Sequence, residues 1–177
     1  DVSPKNIMIA YEGEVKLIDF GIAKARGFLV ANEQDEVTGK AEYMSPEQAT
    51  FKVTDKRADI FSAGIVLAEL LLGHNLFRDN SPSVAREKVL SLTIPDFSTL
   101  RPGIDENLNR ILHRALARDL EQRYPTAEEF LHDLEYHIYH TGYGPTNETL
   151  GKFIRELFNY VEPVLEEEEE EQPEEKV

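Results

Sequence analysis

The reading turns on the first 21 residues, Asp1-Val-Ser-Pro-Lys-Asn6-Ile-Met-Ile-Ala-Tyr11-Glu-Gly-Glu-Val15-Lys-Leu-Ile-Asp19-Phe20-Gly21. Two short apolar runs, Ile7 to Ala10 and Val15 to Ile18, flank the turn segment Tyr11-Glu-Gly-Glu. Such runs around a glycine-containing turn predict a β-hairpin. A hairpin folds the chain back on itself, so Asp1 and Asn6 on one side and Asp19 on the other are drawn into one small volume. Their oxygen donors suit a hard divalent cation such as Mg²⁺, which keeps phosphate oxygens among its remaining ligands.

Downstream of this segment the apolar period disappears from Asp19 to Glu47, which reads as a long surface loop; in a compact domain such a loop is usually functional or disordered. Asp59 then opens the run Asp59-Ile-Phe-Ser-Ala-Gly-Ile-Val-Leu-Ala-Glu-Leu-Leu-Leu72, apolar on nearly all sides and ended by Gly73. That pattern predicts a helix at the centre of the domain. Helical spacing recurs over Val84–Leu92, Glu106–Arg118 and Ala127–His140, the last preceded by a capping-box pair, Thr126 and Glu129. Leu150–Val161 predicts one more short amphipathic helix. The fold class expected is mainly α, a helical body around one central apolar helix with a small β-hairpin.

The five motifs Asp1…Asn6, Asp19-Phe20-Gly21, Ser45-Pro46-Glu47, Asp59 and Arg123-Tyr124-Pro125 stand in the order and at the spacings of the eukaryotic-like protein kinases. Over about residues 1–140 the chain resembles the C-terminal lobe of a bacterial serine/threonine kinase, beginning at the catalytic-loop aspartate. The resemblance implies that Asp1 accepts the substrate hydroxyl proton and that Asn6 and Asp19 hold Mg²⁺ with ATP. It implies that Phe20-Gly21 sets the active or inactive pose. Glu47 is expected buried against Arg123, and Asp59 is expected to receive backbone N–H groups of the catalytic loop. The N-terminal lobe, with its Gly-x-Gly-x-x-Gly loop, strand lysine and adenine-holding hinge, is expected to be absent from these residues and to be supplied in cis or in trans.

Two positions depart from the family pattern. Ser3 stands where serine/threonine kinases carry a lysine, and Lys40, in Gly39-Lys40-Ala41-Glu42-Tyr43, stands where they carry a threonine. Two readings are open. In one, Lys40 reaches back to supply the charge at the transferred phosphoryl group while Ser3 supplies the hydroxyl it bonds, so Asp1, Ser3 and Lys40 form the catalytic set; in the other, the site is degenerating. Between Gly21 and Ser45 the hydroxyls are Thr38 and Tyr43. Thr38 is thus the candidate activation-loop phosphosite on serine or threonine, with Lys24 or Arg26 to pair its phosphate, or else a plain turn threonine.

The 177 residues carry a formal net charge of -15. That charge argues against nucleic acid as a general partner, because neutralising phosphates needs clustered Lys and Arg. Residues 162–177 hold nine of the acids against one base, which reads as a solvated, disordered tail. Zero cysteines exclude disulfides and thiolate metal sites and fit a cytoplasmic location. No apolar run reaches membrane-spanning length. His132, His137 and His140 fall on one expected helix without acidic partners arranged for a metal.

The expected organisation is a kinase C-terminal lobe over 1–141, an extension with a short helix over 142–161, and the acidic tail. A serine/threonine protein kinase acting on a protein substrate is the expected function, with these 177 residues alone inactive. A non-catalytic kinase-like scaffold and one half of a two-chain kinase stand as alternatives.

Overall fold

In a computed structural model, residues 2–19 and 41–161 are described. The chain enters through a 3₁₀ turn, Pro4–Asn6, into strands β1 (Ile7–Ile9) and β2 (Val15–Leu17), which pair antiparallel with Ile7 opposite Leu17 and Ile9 opposite Val15. Gly13, at φ +87°, closes the turn between them, a backbone state that favours glycine. A second 3₁₀ turn, Ala41–Tyr43, leads to the short helix α1 (Pro46–Ala49). Six further helices follow: α2 (Arg57–Leu72), α3 (Pro82–Ser91), α4 (Phe97–Leu100), α5 (Glu106–Ala115), α6 (Ala127–Tyr139) and α7 (Asn147–Phe158).

Helix α2 is the spine of this body. Its buried face runs through Phe61, Ile65 and Val66 into one cluster with Phe77, Val89, Phe97, Leu112 and Leu116, while Ile60 joins Ile111, Tyr124 and Phe130 in another. Gly64 allows the close approach of α5: a Cβ there would stand 3.0 Å from that of Ala115. Gly73, left-handed at φ +80°, ends α2 by donating its N–H to the Glu69 carbonyl. The mainly α architecture with a two-stranded sheet is that of a kinase C-terminal lobe.

The structure corrects several sequence expectations. The segment expected to run as a surface loop to Glu47 is folded into the body at its end, with Tyr43, Ser45, Pro46, Glu47 and Ala49 all buried. Helix α2 is central along much of its length, yet Leu70 is 75% exposed, so its apolar run is not covered all round. Helix α5 stops at Ala115 rather than Arg118. Arg118 instead donates from Nε to the Val89 carbonyl and from Nη2 to the Leu92 carbonyl, satisfying orphan acceptors at the end of α3.

The capping box expected before α6 is half formed. Thr126 accepts from the Glu129 N–H, but the Glu129 carboxylate turns to Arg114 at 3.0 Å. Helix α7 begins earlier and ends earlier than its apolar spacing indicated. Thr146 and Thr149 form a reciprocal capping box at its start, and left-handed Asn159, at φ +50°, turns the chain out at its end. Among the described residues no helix is long and apolar enough to cross a membrane.

Candidate functional site

Proline at the first position of the turn Pro4–Asn6 fixes a backbone angle suited to it, and the Asn6 N–H donates to the Ser3 carbonyl at 2.9 Å. The turn buries Asn6, which is only 5% exposed. Across the hairpin the Ile18 N–H donates to the Asn6 carbonyl at 2.8 Å, continuing the ladder one step beyond the Ile7–Leu17 pair. Asn6 and Asp19 are thereby held at the open end of the same hairpin.

Asp19 sits at φ +56°, a left-handed state uncommon for residues other than glycine. Such a state persists where the surroundings impose it, and it marks sites of function more often than ordinary turns. The amide oxygen of Asn6 and the carboxylate of Asp19 are hard oxygen donors, two being the usual number that a chain contributes to Mg²⁺ bound with phosphates. The residues present therefore fit that cation. Ser3 is 3% exposed, and its hydroxyl oxygen is buried without a hydrogen-bond partner among the described residues.

Asp1, Phe20, Gly21, Lys24, Arg26, Thr38 and Lys40 lie outside the described residues, as does the acidic tail. Asp59 stands in the first turn of α2 with its side chain exposed.

The structure brings Glu47 and Arg123 together from opposite ends of the body. Arg123 Nη1 donates to Glu47 Oε1 at 2.8 Å and Nη2 to Oε2 at 3.2 Å, while Nε and Nη1 also reach the carbonyls of Ala117 and Arg57. The guanidinium lies over the Phe61 ring, 4.9 Å from its centroid. Burial pushes the Glu47 carboxyl up, but the hydrogen bonds and charge of Arg123 outweigh it and hold the group below its ordinary range.

A second polar cluster was not anticipated. Tyr43 donates its hydroxyl to Glu69 Oε2 at 2.5 Å, and Arg78 binds Glu42 and Glu69 at 3.0 and 3.1 Å while reaching the Tyr43 oxygen at 3.2 Å. Ser62 donates to the Tyr43 carbonyl at 2.7 Å, fixing the same residue to α2. Burial and the Glu69 hydrogen bond push the Tyr43 phenol up to about 12. The signal available in the sequence was Glu69 itself, an acid interrupting an apolar helix. Its partner Arg78 stands nine residues on with no motif around it.

Among the described residues, no group of three His, Asp or Glu is gathered as for a metal ion. His137 Nδ1 is buried without a hydrogen-bond partner and lies 3.7 Å from Asp105.

Residues 1–134 match the family model for the protein kinase domain. This chain belongs to the protein kinase domain family. Three curated bacterial kinases are among the proteins it is similar to. It is 40% identical over 158 residues to the tyrosine-protein kinase MasK of Myxococcus xanthus, a match covering 89% of this chain and 24% of that protein. It is 42% identical over 141 residues to the serine/threonine-protein kinase PknB of Mycobacterium tuberculosis, covering 76% of this chain and 22% of that protein. To the probable serine/threonine-protein kinase CPE1738 of Clostridium perfringens it is 40% identical over 136 residues, 76% of this chain and 20% of that one. The kinase chain thus spans between a fifth and a quarter of the length of these relatives. The family match ends at residue 134, before α7, whereas a match covering 89% of 177 residues takes in nearly all of α7 wherever it begins.

Proposed function

We propose that this chain is the catalytic C-terminal lobe of a protein kinase that transfers the γ-phosphoryl group of ATP to a serine or threonine hydroxyl of a protein. The observation that carries the reading is the Ile18–Asn6 hydrogen bond, which holds the carriers of two oxygen ligands, Asn6 and Asp19, at one end of one hairpin. Mg²⁺, when bound, neutralises charge on the phosphates. Asn6 and Asp19 hold it, and Asp1 orients the substrate hydroxyl and takes its proton as the new O–P bond forms and the bond to ADP breaks. The exchange of roles between Ser3 and Lys40 is part of this reading: the Ser3 hydroxyl, buried without a partner among the described residues, bonds Lys40, which supplies the positive charge otherwise missing beside the transferred group.

Residues 1–141 form this lobe, 142–161 an extension and 162–177 an acidic tail; the molecule works in the cytoplasm. The 177 residues contain no Gly-x-Gly-x-x-Gly segment, so by themselves they phosphorylate nothing at an ordinary rate. A lobe that holds ATP, in cis or in trans, completes the enzyme. Tyrosine is the second reading of the acceptor, supported by the similarity to a kinase named for tyrosine and by the absence of lysine at Ser3.

The test is phosphorylation of a generic protein substrate by the full-length kinase containing this chain, with phosphoamino-acid analysis of the product. Asp19→Asn and Asn6→Ala are expected to reduce the rate by about a hundredfold or more, as loss of a main electrostatic contribution does. A wild-type protein that transfers no phosphate yet binds a partner through this lobe would instead establish the scaffold reading.

A further inference from the structure

The turn of the hairpin, Tyr11 to Gly13, is pressed against helix α7, and the contact is backbone to backbone. A Cβ on Gly13 would stand 1.8 Å from the Asn147 carbonyl oxygen and 2.7 Å from the Gly151 nitrogen. A Cβ on Gly151 would stand 2.7 Å from the Glu12 carbonyl carbon and 2.8 Å from the Tyr11 oxygen. No side chain fits at either position without moving main chain. Both glycines are buried, although one sits in the tip of a two-stranded hairpin, where exposure is the rule.

Two further contacts close the same junction. Arg155 donates from Nη1 to the Tyr11 carbonyl at 2.5 Å. At the end of α7, left-handed Asn159 turns the chain so that the Tyr160 N–H donates to the Arg155 carbonyl at 2.9 Å. The Tyr160 ring stacks on Tyr11 with centroids 3.7 Å apart and planes 15° apart. Glycine, arginine and tyrosine of the extension thus grip three consecutive residues of the hairpin.

An isolated two-stranded hairpin has marginal stability. Here each strand is three residues long, and Met8, Ile9, Val15 and Leu17 are all at least 40% exposed, so few side chains anchor it to the body. What stiffens it at the turn end is α7, and what it carries at the open end is the Asn6–Ile18 link beside Asp19.

We infer that helix α7 is a positioning clamp for the catalytic hairpin, acting through Gly151, Arg155 and Tyr160 on Tyr11–Gly13 to hold Asn6 and Asp19 in register. For what the open end holds, the inference rests on the kinase reading. The clamp itself is a property of the chain.

Gly151→Ala is the sharpest probe. Inside a helix that change favours helix formation, so loss of docking cannot be blamed on an unfolded α7. In the 177-residue protein, Gly151→Ala and Arg155→Ala should each speed amide hydrogen exchange of the hairpin, Ile18 included, by about tenfold, while the amides of α2 keep their protection. Arg155→Lys, which retains a donor for the Tyr11 carbonyl, should restore most of that protection. In the full-length kinase the two alanine variants should raise the Mg²⁺ concentration for half-maximal rate several-fold with a smaller change in kcat at saturating Mg²⁺. Hairpin amides exchanging at wild-type rates in both alanine variants would overturn the clamp. A loosened hairpin with an unaltered Mg²⁺ requirement would overturn its positioning role. If the wild-type full-length protein transferred no phosphate at all, the kinase reading would fall, and the exchange rates would still decide the clamp.

Discussion

Arg123 meets Glu47 across 76 residues of chain through two hydrogen bonds, and among the described residues these are the two charged side chains that are buried. The pair ties α1 to the loop before α6. Every nitrogen of the guanidinium has an acceptor, so the cost of burying its charge is met by geometry rather than by water.

Removing one partner leaves the other charge buried alone. Arg123→Ala or Glu47→Ala is expected to destabilise the protein by about 3–5 kcal/mol, measured by urea denaturation. Paired apolar replacement, Glu47→Leu with Arg123→Met, should recover much of that loss. A single alanine variant as stable as wild type would remove the pair from the structural account.

The same pair predicts acid sensitivity. Glu47 has a folded pKa below its unfolded one, so its contribution is fully present above the unfolded value and is lost as pH falls through the lower, folded one. Glu47→Gln should flatten the stability profile there, read by thermal melts between pH 3 and pH 6.

Tyr43 runs in the opposite direction. Its phenol is pushed up to about 12, so its neutral form is favoured by folding, and that contribution is lost as pH rises from about 10 to about 12. Tyr43→Phe should remove the Glu69 hydrogen bond and cost about 1–2 kcal/mol near neutral pH. Phenolate absorbance should lose a component titrating near pH 12 in that variant, while the Tyr124 phenol, pushed higher still by burial and its hydrogen bond to Asp133, keeps its own.

Ser3 serves stability and function through one bond. Its buried hydroxyl has no partner among the described residues, and the proposed bond to Lys40 supplies one, so Ser3→Ala should cost the 177-residue protein about 0.5–1.5 kcal/mol in denaturation. In the full-length kinase the same change, and Lys40→Ala, should slow phosphoryl transfer, with the double variant no slower than the worse single one. Full activity in Lys40→Ala would end the exchange of roles between the two residues.

Thr38 is the proposed phosphosite. Mass spectrometry of active full-length kinase should find phosphate there, and Thr38→Ala should lower activity without changing the melting temperature of the lobe. A fully active enzyme with unmodified Thr38 would exclude it.

Where the physics is local, these elements were legible. The hairpin follows from two short apolar runs around a glycine-containing turn, and α2 from one long apolar run ended by Gly73. The family followed from motif order over the same residues. Less was legible where a side chain chooses between a near partner and a distant one. Glu129 completes the pattern of a capping box, yet its carboxylate goes to Arg114, a stronger acceptor–donor match made available by packing of α5 on α6. Arg118 extends the helical spacing of α5 in sequence, yet it serves the carbonyls of α3.

By itself, then, the sequence determined the class of fold and the family and nominated the groups proposed to carry the chemistry, because each of these depends on residue type and short-range spacing. Only the tertiary structure decided that Tyr43 is buried on Glu69, that the Ser3 hydroxyl is buried and that α7 closes on the hairpin turn. Those facts depend on which surfaces meet, and contacts such as Tyr11 with Arg155 join residues 144 apart in the chain, a separation that no local pattern encodes.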